Sequence, residues 1–131
     1  MEIVPKHPTR KGPADQFTGD VLVDLIAKGV APSGLNVNAV HFAPGARSAW
    51  HVHSQGQTLY VVEGKGLVQS RGEKITEIAA GDVIYTPEGE EHWHGAAPDH
   101  LMTHLSITEG GIEWHAHVTD AEYGGDAGPS A

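Results

Sequence analysis

A chain of 131 residues, 39% hydrophobic and 19% charged, has the length for one domain with a real core. Cysteine is absent, which excludes a disulfide scaffold, thiol catalysis and cysteine-ligated zinc. Eight basic and 17 acidic residues give a net charge of −9, and past Lys74 there are 11 acids and no Lys or Arg. That half would repel a phosphate backbone, so nucleic acid is not expected as a partner.

No stretch approaches the roughly 20 apolar residues of a membrane-spanning helix, so no membrane role is expected. The opening Met1-Glu2-Ile3-Val4-Pro5 lacks the basic stretch and apolar core of a secretory signal, and a cytoplasmic location is expected. Residues 5–16 carry three prolines with mixed charge, and residues 1–19 read as an N-terminal arm. The first strand is expected over Asp20–Ile26, followed by a Gly-, Pro- and Ser-bearing loop to Gly34.

From Leu35 the apolar period is two. Strands are expected over 35–42, 48–53, 58–63, 66–70, 74–78, 82–86, 92–95, 101–108 and 112–118. Turn residues fill the gaps, among them Glu63-Gly64-Lys65-Gly66, Ala80-Gly81-Asp82 and Pro87-Glu88-Gly89. No segment sustains a helical period. Many short strands at regular spacing predict an all-β sandwich or barrel over residues 20–118, with a fraying tail over 119–131.

Histidine is the outlying count, at ten. His51-Val52-His53 sets two imidazoles on one face of a strand, and Gln57 follows across Ser54-Gln55-Gly56. His92-Trp93-His94 repeats the spacing. Inward-facing polar groups are costly unless something satisfies them, and a divalent ion held by imidazoles and an amide oxygen would do so. The bland reading of any one such pair is surface or core histidine. Two pairs flanking a strand-rich segment, with an amide nearby, favour metal.

These residues resemble the two motifs of the cupin superfamily. Gly45, five residues, His51-Val52-His53, three residues, Gln57, six residues, Gly64 is similar to the first; Gly81, five residues, Pro87-Glu88-Gly89, two residues, His92 is similar to the second. The family usually has Glu at Gln57, and Asn where Ala96 stands. The resemblance implies a jelly-roll β barrel with His51, His53, Gln57 and His92 as metal ligands. The neutral shell removes one negative charge, strengthens the ion as a Lewis acid, and casts doubt on any mechanism needing a Glu base there.

The resemblance narrows further. Lys11-Gly12-Pro13-Ala14-Asp15, Phe17-Thr18-Gly19, Pro44 through His51, Gly56-Gln57-Thr58-Leu59, Glu91 through Pro98, Met102-Thr103-His104-Leu105 and His117-Val118-Thr119-Asp120 are similar to small bacterial cupins that include manganese-dependent hydroxynitrile lyases. It implies a metal-dependent lyase that cleaves or forms cyanohydrins. Manganese is the first expectation, with iron, nickel, cobalt and zinc as alternatives. The rival functions are an iron-dependent dioxygenase, an isomerase or sugar-processing cupin, and a non-enzymatic ligand-binding cupin. A small-molecule substrate and a homodimer or homotetramer are implied.

His94 shares its strand face with His92 and is expected in the pocket, either as an acid–base group or as support for the metal shell. The family pattern places His104 and Thr108 on the cavity wall, and His104 joins His94 as a catalytic candidate. Asn38 and Val40 share a face and are expected to line the pocket. Tyr60 is a further pocket candidate through its phenol, although packing is the simpler role for an aromatic in an apolar strand. Trp50 and Trp93 alternate away from the histidines and read as core or interface. His115 and His117 repeat the spacing without a third ligand, and His7, His41 and His100 read as surface or edge residues. Glu88–Glu91 reads most simply as a solvated loop, with a gate at the pocket mouth as the alternative. No arginine pair is expected inside, Arg47 is expected to face outward, and Ile75, Ile78 and Val83 with Trp93 are expected to supply an apolar face for assembly.

Overall fold

The computed structural model describes residues 1–125. Among them the chain forms twelve strands: β1 Arg10–Lys11, β2 Phe17–Thr18, β3 Val21–Lys28, β4 Asn36–Phe42, β5 Arg47–Ser48, β6 His51–His53, β7 Gln57–Ser70, β8 Thr76–Ala79, β9 Val83–Thr86, β10 His92–Ala96, β11 Met102–Thr108 and β12 Ile112–Trp114. One short helix, α1 Asp120–Tyr123, follows. Every pairing is antiparallel. The expected all-β jelly roll is the fold.

The strands curl into two sheets that share β7. The first runs β1-β3-β4-β11-β7-β9. In the second, β8 and β10 flank the far half of β7. Strands β5 and β6 lie one after the other along β10, with β2 on β5 and β12 on β6.

The expected turn at Glu63–Gly66 does not form: β7 runs through it for 14 residues. Gly64 is where the strand bends from one sheet into the other. Its φ is +82°, and a Cβ there would lie 1.8 Å from the Leu101 carbonyl oxygen, so only glycine fits. The register of β11 shifts between Thr103 and His104, against the same bend.

Period-two alternation decides what is buried. Val21 and Val23, Val40 and Phe42, and Leu59 and Val61 point inward from neighbouring strands. With Ile78, Ala96 and Met102, most of them form an apolar core between the sheets. A second cluster, Trp50, Trp93 and Val118, lies on the outer face of the second sheet. Trp93 is wholly buried and Ile78 is 5% exposed, so the expected apolar face built on them does not exist.

The C-terminal segment covers that second cluster. Thr119 caps α1 through a capping box with Glu122, and the Tyr123 hydroxyl donates to the Ala96 carbonyl at 2.6 Å. Arg47 is buried rather than outward: it donates to the Val118 carbonyl at 2.7 Å and pairs with Asp120 at 2.9 Å. Residues 119–125 are therefore anchored; residues 126–131 of the expected tail lie outside the described residues. The N-terminal arm is likewise tied to the barrel, through β1 to one sheet and β2 to the other.

Candidate metal centre and adjoining cavity

His51 and His53 on β6, and His92 on β10, bring one nitrogen each to within 4.8 Å of one another, and all three are buried. The register explains this, because His92 pairs directly with His51. The i, i+2 spacing puts His53 on the same side. Gln57 opens β7 with its side chain inward, and its Nε2 donates to the Ser106 hydroxyl at 2.8 Å. That bond leaves the amide oxygen aimed at the histidines.

The tautomers follow from the partners. A carbonyl only accepts, so His51 Nδ1 carries the hydrogen it gives to the Ala49 carbonyl at 2.8 Å. His92 Nδ1 does the same to the Glu90 carbonyl at 2.9 Å. Both Nε2 atoms therefore present lone pairs. Burial pushes the His51 pKa well below its usual range, lowers that of His92, and brings His53 to about 4, in each case chiefly by desolvating the charged ring. The rings are neutral near pH 7.

Two features point to a cation at this cluster. The Gln57 Oε1 and His92 Nε2 atoms, both acceptors, face each other at 3.0 Å. His53 Nε2 is buried with no partner among the described residues. Such groups are costly in a dry interior, and a divalent ion satisfies all of them at once. The donor set fits a metal through neutral imidazole and amide oxygen.

A second pair of histidines adjoins the cluster. His94 Nδ1 and His104 Nε2 are 2.9 Å apart, one proton between them, and both rings are buried. Burial takes the His104 pKa down to about 3 and that of His94 well below its usual range. His94 Nε2 and His104 Nδ1 have no partner among the described residues. Ser48 accepts the His94 backbone N–H at 3.1 Å and fixes the strand that carries it.

These groups open on one cavity of about 350 Å³, within the range of small-molecule sites. Asn38, Val40, Thr108, His94 and His104 line it, as do His51, His53 and Gln57; His92 sits behind them against Gln57. Tyr60 does not. Gln57, Leu59 and Val61 point inward along β7, so Tyr60 points out and is 43% exposed.

Several lining residues carried no signal in the sequence reading. Arg10, Gln16 and Phe17 reach the cavity from the N-terminal segment, and the Trp114 ring lies 4.7 Å from that of His51. Ser106 shares the cavity-lining strand face of His104 and Thr108, as its two-residue spacing from each predicts. Of the outlying histidines, His41 bonds Asp24 and Thr103 at the outer surface, and His115 pairs with Glu91. The Glu88–Glu91 loop is more than solvated: Glu91 holds Arg71 at 2.7 Å and Glu90 accepts from Ser70 at 2.7 Å.

A cupin-domain profile matches residues 38–108, spanning both histidine pairs. The chain is 46% identical over 129 residues to the (R)-mandelonitrile lyase of Granulicella tundricola, covering 94% of this chain and 98% of that protein. A shorter similarity, 30% over 78 residues, links it to the acireductone dioxygenase of a Picosynechococcus strain, covering 56% of this chain and 44% of that one. Among solved structures, a cupin-like protein from Thermotoga maritima superposes with a TM-score of 0.85 at 39% identity, covering 94% and 95% of the two chains. The spacing of the buried histidines, the shared barrel and these full-length similarities lead to one statement: the chain belongs to the cupin family.

Proposed function

We propose that the protein is a metal-dependent lyase that cleaves cyanohydrins to a carbonyl compound and cyanide, and catalyses the reverse addition. The observation that carries this reading is the neutral three-histidine, one-glutamine cluster beside a proton-sharing His94–His104 pair in one small cavity. It is supported by the full-length similarity to the Granulicella lyase.

His51, His53, Gln57 and His92 would hold the ion, and manganese is the metal we assign. Bound there, a divalent ion supplies Lewis-acid stabilisation of negative charge. The substrate hydroxyl donates to His94 Nε2, and Asn38 lines the wall beside it. His94, through its free Nε2, takes the hydroxyl proton, and His104 spreads the resulting charge across the 2.9 Å contact. The O–H electrons form the carbonyl, the carbon–carbon bond breaks with its pair on cyanide, and the same histidine returns a proton to cyanide. Val40 and Thr108 shape the wall around the substrate.

The reading includes a cytoplasmic location and a homodimer or homotetramer. The outer face of the first sheet exposes Leu22, Ile26, Tyr60, Val62, Val83 and Tyr85. Six strands at about 4.8 Å spacing and about 20 Å long give a footprint of roughly 600 Å², which approaches the roughly 800 Å² per partner of a stable interface. Light scattering is expected to give a dimer or tetramer that Val83→Lys with Tyr60→Lys dissociates; a monomeric wild type contradicts this.

Cyanide and benzaldehyde release from racemic mandelonitrile tests the activity, with the spontaneous rate at mildly acidic pH subtracted. Turnover by manganese-loaded protein and none by stripped protein is expected. Turnover that is indifferent to metal, or none with manganese bound, overturns the lyase reading. In the second case, substrate-dependent oxygen uptake with iron would point to a dioxygenase, and its absence to a sugar-processing or non-enzymatic cupin.

A further inference from the structure

We infer that the molecule this cavity takes carries a carboxylate, bound by Arg10 at the open edge, remote from the histidines. This rests on the cavity being the substrate site, and not on cyanohydrin chemistry.

The sheet register aims Arg10 inward. Arg10 pairs with Val23, Val23 with Val40, and Val40 with His104. Residues opposite one another on neighbouring strands share a face. Val23, Val40 and His104 are all buried and all line the cavity, and Arg10 ends the same row at its solvent-exposed edge and lines it too. At about 4.8 Å per strand, the row sets the Arg10 backbone about 14 Å from that of His104, enough to place a ring-sized molecule between the guanidinium and the imidazoles.

Charge gives the chemistry of the ligand. Eighteen residues line the cavity and none is Asp or Glu, in a chain of net charge −9. The acids have been kept off this one surface. Arg47 and Arg71 are both paired with carboxylates, whereas Arg10 makes no ion pair or side-chain hydrogen bond among the described residues. The three-histidine, one-glutamine cluster brings no negative charge either. An exposed arginine on an acid-free wall leaves its guanidinium available to an anion, and its planar fork matches a carboxylate in two parallel bonds. The substrate class is a small hydroxy compound with its carboxylate at the opposite end from the hydroxyl.

Calorimetry on the metal-stripped protein at pH 8 tests this with two isosteric probes, 4-(hydroxymethyl)benzoate and 4-(hydroxymethyl)benzamide. The wild type is expected to prefer the carboxylate by about tenfold, as one charge-assisted pair allows. Arg10→Gln is expected to bring the ratio to about twofold or below. Lys11→Gln removes the same charge one residue along, opposite the exposed Leu22, and is expected to keep the wild-type ratio. No binding of either probe, no preference in the wild type, a preference that survives Arg10→Gln, or one lost equally in Lys11→Gln overturns the proposal. Because neither metal nor turnover enters the measurement, a failure of cyanohydrin cleavage leaves this result standing, and the reverse.

Discussion

The two ends of the barrel interior are built from the same strands and solve opposite problems. At one end Val21, Phe42, Val61 and Met102 pack apolar surface with no polar atom to satisfy. At the other, His51, His53, Gln57, His92, His94 and His104 are almost as deeply buried, yet His53, His94 and His104 each keep a nitrogen without a partner. The first end supplies stability. The second is costly until an ion and a substrate occupy it, which is what a functional site looks like in a fold that otherwise satisfies its polar groups.

The largest expected effect falls on the histidine end. His92→Ala removes one of the three clustered histidines, and loss of the bound metal, read by elemental analysis, should bring turnover down by more than the roughly 10–100-fold that loss of an outer partner costs. His104→Gln keeps the ligands and removes the shared proton. Metal content should stay at one ion per chain while turnover falls by about 100-fold or more, the range of a lost acid–base group. Metal loss in that variant would place His104 in the ligand set instead.

Stability should show the reverse contrast. Met102→Ala is expected to cost about 2–5 kcal/mol in denaturant unfolding, as for a wholly buried side chain, with metal content unchanged. His53→Leu, measured on metal-stripped protein, removes an orphaned buried nitrogen and should leave stability equal or raised by about 1–3 kcal/mol, while metal binding is lost. If His53→Leu destabilises the stripped protein as much as Met102→Ala, the two ends do not differ as described.

The smallest effect is graded with pH. The folded chain holds His53 near a pKa of about 4 and His104 near about 3, against 6.5 when unfolded. Between these values the unfolded chain binds more protons, so the stabilising contribution of the neutral rings is complete above pH 6.5 and is lost as pH falls toward 4 and then 3. Thermal midpoints of stripped protein should fall through that window. A flat profile from pH 7 to 4 would contradict the burial of neutral rings.

Much of this arrangement was legible in the sequence because the pleat has period two. His51 and His53, and His92 and His94, fall on one face wherever their strands lie, and Trp93 falls on the other. The same rule, applied from Gln57, would have turned Tyr60 outward. What the sequence hides is pairing between distant strands: His94 meets His104, and Gln57 meets Ser106, only through packing and register. Gly64 carries a turn signal that also serves a strand changing sheets, so a bend was read as a stop. Thr119-Asp120-Ala121-Glu122 is a capping-box pattern, and the expectation of a fraying tail over 119–131 overlooked the short helix it starts. Arg47 lies on a short strand with no periodicity to reveal its burial under the C-terminal segment.

The central claim is that the buried histidines are neutral and already arranged for a divalent ion. Manganese titrated into stripped protein at pH 6, by calorimetry in buffers of different ionisation enthalpy, gives both stoichiometry and protons released. Free histidines are mostly protonated at that pH, given a pKa of about 6.5. One ion per chain with fewer than one proton released is the predicted result; no binding, or release of two or more protons, would contradict it.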